Sequence, residues 1–194
     1  MKHHEHVKIV AFVGLTGSGK STIVDYLTEK GYPKIYFGGI FYDAMREAGL
    51  TPGDWAVENP FREEIRAKEG NDFIVKRVIK QAHDLIGAGQ HRIILDGLYS
   101  WTEYKALKHE FPGELTVIAT VASKHVRKQR LASRPERPMT SAEVDQRDWA
   151  EIEGVEKGGP IAIADYFVMN DGDDVAPFYA QIDTILGHID FYNN

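Results

Sequence analysis

The stretch Val7–Thr22, VKIVAFVGLTGSGKST, decides how the rest of the chain is read. Six apolar or β-branched positions (Val7, Ile9, Val10, Ala11, Phe12, Val13) have the length and composition of a short buried strand. The run breaks into Gly14-Leu15-Thr16-Gly17-Ser18-Gly19-Lys20-Ser21, which satisfies G-x-x-x-x-G-K-[ST]. Ile23, Val24 and Leu27 then share one side of an amphipathic helix. Glycines let such a loop curl so that several N–H groups face one anion, and the helix N-terminus adds its partial positive charge. Gly14, Thr16, Gly17, Ser18, Gly19, Lys20, Ser21 and Thr22 are therefore the expected nucleotide-binding residues. Lys20 reaches the β and γ phosphates of ATP, and the Ser21 hydroxyl is placed to ligate Mg²⁺. The plain alternative is a glycine-rich turn that binds nothing; the order strand, loop, helix favours the nucleotide.

Working outward, 194 residues suit one domain spanning 1–194, with 43% hydrophobic and 27% charged residues as in an ordinary globular protein. A formal charge of −6 argues against general nucleic-acid binding. The absence of cysteine excludes a disulfide framework and a thiolate metal site. No apolar run approaches the roughly 20 residues of a membrane span, and MKHHEHVK lacks the apolar centre of a signal peptide. A cytoplasmic protein with no nucleic-acid or membrane partner is the expectation; its oligomeric state is left open. His3, His4 and His6 read as a solvated tail rather than a metal site.

After the first helix, ended by Gly31, Pro33–Phe37 reads as a second strand, broken by Gly38-Gly39, with a helix over Ile40–Ala48. Helices follow at Pro60–Lys68 and from Asp72, its expected cap, to Gly87. Arg92–Leu95 is a third strand with Asp96-Gly97 at its carboxyl end. Ser100 caps a helix over Trp101–Phe111, Leu115–Val121 is a strand buried on both faces, and Ser123 caps a basic helix over Lys124–Ser133. Ser141 opens another helix, Gly154–Pro160 is loose, Asp165–Met169 is the last strand and Val175–Ile189 the closing helix. Such alternation means an α/β fold: a parallel sheet, here of five strands, with helices on both faces. Ligands of such sheets bind beyond the carboxyl ends of the strands.

Asp96 lies at such an end. A carboxylate there holds Mg²⁺, directly or through water, or orients the acceptor; the alternative is a turn aspartate. Arg127, Arg130 and Arg134 recur at intervals of three and four, so they share a face, and Arg147 is the natural return partner across the Pro135–Thr140 break. Guanidinium groups complement the spread charge of phosphoryl transfer, and a short arginine-bearing lid over 124–152 would exclude water. The competing reading is a solvated basic helix paired with nearby Asp145 and Asp148. Within the presumptive acceptor segment 38–81, Arg66 and Arg77 are placed to hold an acceptor phosphate or simply to pair with acidic neighbours. Trp55, Trp101 and Trp149 are read as core residues before base-stacking ones.

Seven pieces together carry a resemblance: GLTGSGKS (14–21), FGG (37–39), FREEIRAKEG (61–70), ILDGLYS (94–100), RKQRLASR (127–134), QRDWAE (146–151) and IADYFVMNDG (163–172). With them the chain resembles the adenylate kinase–dephospho-coenzyme A kinase branch of P-loop proteins. It is most similar to the archaeal adenylate-kinase-related family of small kinases. The resemblance implies strand order 2-3-1-4-5 and a lid between the fourth and last strands. It also places Asn170 and Gly172 near the adenine. The chain departs from those relatives at Gly39, Tyr42 and Tyr99, where an aspartate and two arginines are common. The donor half is intact and the acceptor half has changed.

The expected function is transfer of the ATP γ-phosphate, with Mg²⁺, to a small nucleotide-like acceptor such as dephospho-coenzyme A or a nucleoside or nucleotide. Lys20, Asp96, Arg130, Arg134 and Arg147 are the expected catalytic residues, Ser21 and Asp96 the metal ligands, Arg130 a further nucleotide contact. Gly39, Tyr42, Arg66, Arg77 and Tyr99 are the expected acceptor residues. The alternative is an NTP-hydrolysing regulatory protein that answers to a protein partner.

Overall fold

The structure, a computed structural model, describes residues 6–53 and 55–192. His3 and His4 lie outside them, as does any description of the Trp55 side chain. In chain order the elements are β1 (Lys8–Val13), α1 (Lys20–Glu29), β2 (Lys34–Tyr36), α2 (Phe37–Glu47), α3 (Trp55–Glu69), α4 (Phe73–Gly87) and β3 (Arg92–Asp96). Then come α5 (Trp101–Glu110), β4 (Leu115–Val121), α6 (Lys124–Ala132), α7 (Ser141–Glu153), α8 (Gly158–Ala162), β5 (Tyr166–Met169) and α9 (Ala176–His188). The strands form one parallel sheet in the order β2-β3-β1-β4-β5, the order the resemblance implies. No helix among the described residues is long and apolar enough to cross a membrane.

β1 sits at the centre because it is apolar on both faces. Ile9, Ala11 and Val13 pack with Ile93, Leu95, Val117 and Ala119 beneath Val75, Val78 and Ala82 of α4 and Leu107 of α5. Val10 and Phe12 point to the other face, where Ile94, Ile118 and Val168 meet α1 and α9 through Ile23, Leu27, Phe178 and Ile182. A third, smaller cluster belongs to the segment between β2 and β3. Phe41, Ala44 and Met45 of α2 close on Phe61 and Ile65 of α3 and Phe73 of α4. The same segment also reaches the sheet through Phe37 and Ile40 of α2.

Five local expectations change. Gly38-Gly39 does not break the chain but lies in the first turn of α2. The Tyr36 ring crosses both glycines; a Cβ at Gly38 would stand 2.5 Å from the Tyr36 hydroxyl, so these positions need glycine for close approach rather than for a turn. The helix expected from Pro60 starts a turn earlier, with Pro60 inside it, because Val57 also packs on the third cluster. The stretch expected to be loose ends in α8, whose first turn accommodates Pro160. Trp149, read as core, is 62% exposed on α7. The helix turns Val144 and Asp148 inward instead. Among the caps, Ser100 and Ser123 accept the expected backbone N–H bonds. Asp72 does not; its carboxylate pairs with Lys76 at 2.9 Å.

Candidate functional site

The loop between β1 and α1 takes the shape its glycines permit. Gly17 and Gly19 adopt left-handed φ of 86° and 95°, which a side chain would strain. Gly19 caps α1, and having no side chain it leaves the first N–H groups of the helix for a ligand. A Cβ on Gly14 would lie 2.5 Å from both the Ser18 hydroxyl and the Thr120 carbonyl; one on Gly19 would lie 2.1 Å from the Asn170 side-chain nitrogen. The loop is pinned from below. Ser18 and Thr120 share a buried hydroxyl–hydroxyl bond of 2.9 Å. The Asn170 amide donates to the Ser18 carbonyl at 3.0 Å.

Lys20, first residue of α1, reaches across the mouth of the loop to Asp96 at the end of β3, with Nζ 2.6 Å from Oδ1. Sheet register sets this meeting, since Asp96 lies opposite Phe12 on one side and Tyr36 on the other. Asp96 is 8% exposed. Ser21, the residue after Lys20, is exposed. Ser21 and Asp96 supply hard oxygen donors, and among the described residues no group of three or more potential metal ligands occurs. That donor set fits Mg²⁺ held by one or two side chains together with phosphates.

Helices α6 and α7, expected to form a lid, touch the loop at Thr16. Arg127 is 4% exposed; it grips Asp148 of α7 with two bonds of 2.8 and 2.7 Å and donates to the Thr16 carbonyl at 3.1 Å. Arg147 Nε donates to the Thr16 hydroxyl at 2.8 Å. Arg130 turns the other way, donating to the carbonyls of Asn170 at 2.7 Å and Gly172 at 2.8 Å. Arg134 lies beyond the end of α6, exposed on the connecting loop. The arginine face is thus divided: Arg127 ties the lid helices together, Arg147 meets the loop, and Arg130 holds the turn after β5. Asn170 is spent on supporting the loop, and Gly172 on Arg130.

Two side chains that the sequence did not single out complete this side. Glu151 of α7 accepts from the Thr16 hydroxyl at 3.0 Å and from Arg147 at 3.2 Å. Its other oxygen accepts from Lys157 at 2.9 Å. Burial alone would push the Glu151 carboxyl up; Lys157, Arg147 and Thr16 outweigh it and hold the group below its usual range. Lys157 is 2% exposed and sits 4.7 Å from the centre of the Tyr99 ring. Burial lowers its ammonium in spite of Glu151. No periodicity marks Lys157, which stands in a Gly-rich connection; Glu151 shows only as the residue one turn after Arg147.

Across the cleft, Tyr99 follows Gly97, whose φ of 108° brings the Tyr99 ring within 2.7 Å of where a Cβ would be. Burial, then Asp96 and Glu151, push the Tyr99 hydroxyl up to about 12. Tyr99 is therefore a neutral donor at physiological pH. Gly39 lies under the Tyr36 ring, and Tyr42 is half-buried beside Phe41. Arg77 is engaged by Glu47 at 2.9 Å and Glu69 at 3.4 Å. Arg66 is exposed on α3. The arrangement gathers an anion cradle, a lysine and a buried carboxylate at one point, with arginine on the lid side and tyrosine on the other.

Comparison with known proteins agrees with this geometry. The UPF0200 protein of Thermococcus kodakarensis is 31% identical over 170 residues, covering 84% of this chain and 89% of its own length. Among solved structures, TT1252 from Thermus thermophilus superposes with a TM-score of 0.65 at 18% identity, over 94% of this chain and 98% of that one. Shikimate kinase from Bacteroides thetaiotaomicron does so with a TM-score of 0.59 at 11% identity, over 94% and 98%. The AAA-domain family matches residues 10–152. That match spans the loop, the Asp96 strand and the lid helices, so the chain belongs to the AAA-domain family and to the UPF0200 proteins, with the P-loop fold found in small-molecule kinases.

Proposed function

We propose that this protein is an ATP-dependent phosphotransferase that moves the γ-phosphate to a small nucleotide-like acceptor, on the adenylate kinase–dephospho-coenzyme A kinase pattern. One observation carries the reading: Lys20 and Asp96 meet at 2.6 Å at the open end of the glycine cradle. A lysine that neutralises transferring phosphate oxygens and a carboxylate that handles the acceptor belong at the same point.

In this reading the N–H groups of Gly17–Thr22 hold the phosphates. Ser21 and Asp96 would hold Mg²⁺, which would supply neutralisation of the phosphate charge. Asp96 also orients the acceptor hydroxyl and takes its proton as the oxygen attacks phosphorus and the bond to ADP breaks. Arg147, already on Thr16, follows the charge that develops on the equatorial oxygens, while Arg130 and Arg134 join from the lid. Lys157 keeps Glu151 ionised and in place, so that Arg147 is held at the loop. Gly39, Tyr42, Tyr99, Arg66 and Arg77 border the acceptor. The absence of cysteine and of a long apolar segment suits the cytoplasm, with ATP and the small acceptor as the partners.

Dephospho-coenzyme A, which accepts on a ribose hydroxyl, is the first candidate. AMP is expected to be poor, because Tyr42 and Tyr99 stand where similar kinases carry arginine. The test is acceptor-dependent ADP release over a panel of nucleosides, nucleotides, dephospho-coenzyme A and sugars. One compound should raise ADP release well above the rate with ATP alone. ADP release indifferent to every acceptor would overturn the proposal; efficient use of AMP, with kcat/KM of about 10⁴ M⁻¹s⁻¹ or more, would restore an ordinary adenylate kinase.

A further inference from the structure

Glu151 is a carboxylate held at the mouth of the glycine loop by the kinds of group that hold a phosphate. Its Oε1 accepts from the Thr16 hydroxyl at 3.0 Å and from Arg147 Nε at 3.2 Å, and its Oε2 from Lys157 Nζ at 2.9 Å. Thr16 lies in the loop between Gly14 and Gly17, and Arg147 donates to the same hydroxyl at 2.8 Å. One ring joins this cluster to the Lys20–Asp96 end. The centre of Tyr99 is 4.7 Å from Lys157 Nζ and 6.0 Å from Lys20 Nζ, and Lys20 is 2.6 Å from Asp96. After burial, Asp96 and then Glu151 are what raise the Tyr99 hydroxyl, so both carboxylates stand near it.

Glu151 is not needed to fasten α7. Arg127 already does that, holding Asp148 with bonds of 2.8 and 2.7 Å and reaching the Thr16 carbonyl at 3.1 Å. The charges around Glu151 point to another role. Lys157 is 2% exposed. Burial lowers its ammonium, Glu151 opposes that, and Lys20 and Arg147 lower it further. Three cations thus converge on the mouth of the loop. Asp96 answers Lys20, and Glu151 answers Arg147 and Lys157. A buried ammonium beside like charges requires an anion, and in the ligand-free protein that anion is Glu151. The same carboxylate repels any phosphate that enters the loop while it stays there.

We infer that Thr16, Arg147 and Lys157 form a seat for the terminal phosphoryl group of a nucleoside triphosphate, and that Glu151 fills this seat until the nucleotide arrives. This rests on the nucleotide-binding part of the phosphotransferase reading above. A terminal phosphoryl group carries up to two charges on three oxygens and a carboxylate one charge on two, so the guanidinium and ammonium exchange towards the phosphate. Glu151 leaves by rotating towards solvent. Its side chain is 13% exposed, and that of Arg147, one turn earlier on the same helix face, is 53% exposed. Before binding, Lys157 and Glu151 keep Arg147 at the loop; after binding, the phosphate does. The β-phosphate belongs to the loop N–H groups and Lys20. A diphosphate therefore leaves Glu151 where it is, and a triphosphate moves it. The seat in this way distinguishes ATP from ADP, and the return of Glu151 after transfer closes it to the product.

Calorimetry on the full chain with Mg²⁺ tests the seat, with the non-hydrolysable analogue AMP-PNP as the triphosphate probe and ADP as the diphosphate. Glu151→Gln keeps the size and one accepting oxygen but removes the competing charge. It should bind AMP-PNP at least tenfold tighter than the wild type, with ADP affinity within twofold. Adding Lys157→Met to Glu151→Gln should take back at least fivefold of that gain, because in the single variant the ammonium has the phosphate as its anion. A Glu151 that only supports the loop gives unchanged or weaker AMP-PNP binding in Glu151→Gln, and that result overturns the seat. An equal gain for ADP, or no loss on adding Lys157→Met, also overturns it. Glu151→Gln leaves Lys157 buried without its carboxylate, so where melting shows it poorly folded the unaltered protein decides. Its crystal structure with Mg²⁺ and AMP-PNP should show phosphate oxygens on Arg147 and Lys157 and Glu151 turned away from Thr16. With ADP the Glu151 bonds to Thr16 and Lys157 should remain. Glu151 still bonded to both with AMP-PNP in the loop overturns the seat. The phosphotransferase reading fails separately, if AMP-PNP moves Glu151 yet no acceptor raises ADP release.

Discussion

The side of the cleft that the proposed function gives to ATP, the donor half, and the side it gives to the acceptor, the acceptor half, are built on different terms. In the donor half each contact to the loop comes from a distant part of the chain: Thr120 to Ser18, Asn170 to Ser18, Arg127 and Arg147 to Thr16. The segment α2 to α4, proposed to take the acceptor, has a small cluster of its own around Phe41, Phe61 and Phe73, and it also packs on the sheet through Phe37 and Ile40 of α2 and Val75, Val78 and Ala82 of α4. A loop that must match the same triphosphate in every turnover benefits from being over-determined. Of that segment, among the described residues, only α3 has its buried residues confined to the small cluster, so its surface can change with the least disturbance to the sheet. The two halves meet where Lys20 touches Asp96 and where Lys157 lies between Glu151 and Tyr99.

If the halves are separable, the largest effect belongs to the donor side alone. Lys20→Ala should lower kcat/KM by about 2–4 kcal/mol of transition-state stabilisation, roughly thirtyfold to a thousandfold. The backbone cradle cannot replace the point charge between the β and γ phosphates. Acceptor affinity, measured by calorimetry, should change little. Wild-type turnover in this variant would end the P-loop assignment; a large loss of acceptor affinity would show that the halves are one unit.

Glu103 tests the ground between them. It caps α5 immediately after Tyr99, its carboxylate accepting from the backbone N–H groups of Tyr99 at 2.7 Å and Ser100 at 3.0 Å. Burial raises it to about 7, against the lowering by those bonds and by Lys157. An acid whose folded value lies above its unfolded value of 4.5 holds its proton more tightly in the native state. Stability contributed by the proton is therefore complete below about pH 4.5 and falls as pH rises towards 7, by at most about 3 kcal/mol. Glu103→Gln, which keeps the capping oxygen, should flatten that fall. Urea unfolding at pH 5, 6, 7 and 8 measures it, and parallel curves for both proteins would remove the claim.

How much of this was legible depends on how local each signal is. β1, the loop and α1 were readable because strand pattern, glycines and helix pattern are contiguous, and Asp96 because it ends an apolar run. The strand order came with the resemblance. Gly38-Gly39 misled because a glycine pair reads as a break, whereas its cause is a ring two residues earlier. Trp149 misled because size suggests burial, and only the phase of α7 decides otherwise. Arg127, Arg130 and Arg134 recur at helical spacing, yet the partners of Arg127 and Arg130 lie 21 to 111 residues away. No spacing rule could divide them. Lys157 stands out only by what surrounds it in space, Glu151 and Tyr99.

The smallest expected effect sharpens the comparison at the lid, the one element attached to the donor loop that must also answer to the acceptor. Arg127–Asp148, Lys124–Asp145 and Lys128–Asp145 hold α6 against α7, so the two helices should move as one piece. Between them residues 132–138 are exposed, with the Met139 N–H bonded to the Leu131 carbonyl at 3.0 Å closing the turn. Arg147 is 53% exposed and reaches Thr16 from solvent, which makes its release cheap. Phosphates bound in the loop would add partners for Arg147, and an acceptor would bring Tyr99 and the lid together around one ligand. Hydrogen exchange over residues 127–147 should slow about tenfold, close to 1.4 kcal/mol, when ATP analogue and dephospho-coenzyme A are both present. The analogue alone should give a smaller effect. Full protection from the nucleotide alone would make the lid a part of the donor half. Exchange that is slow and identical with and without ligands would mean that α6 and α7 are not a lid.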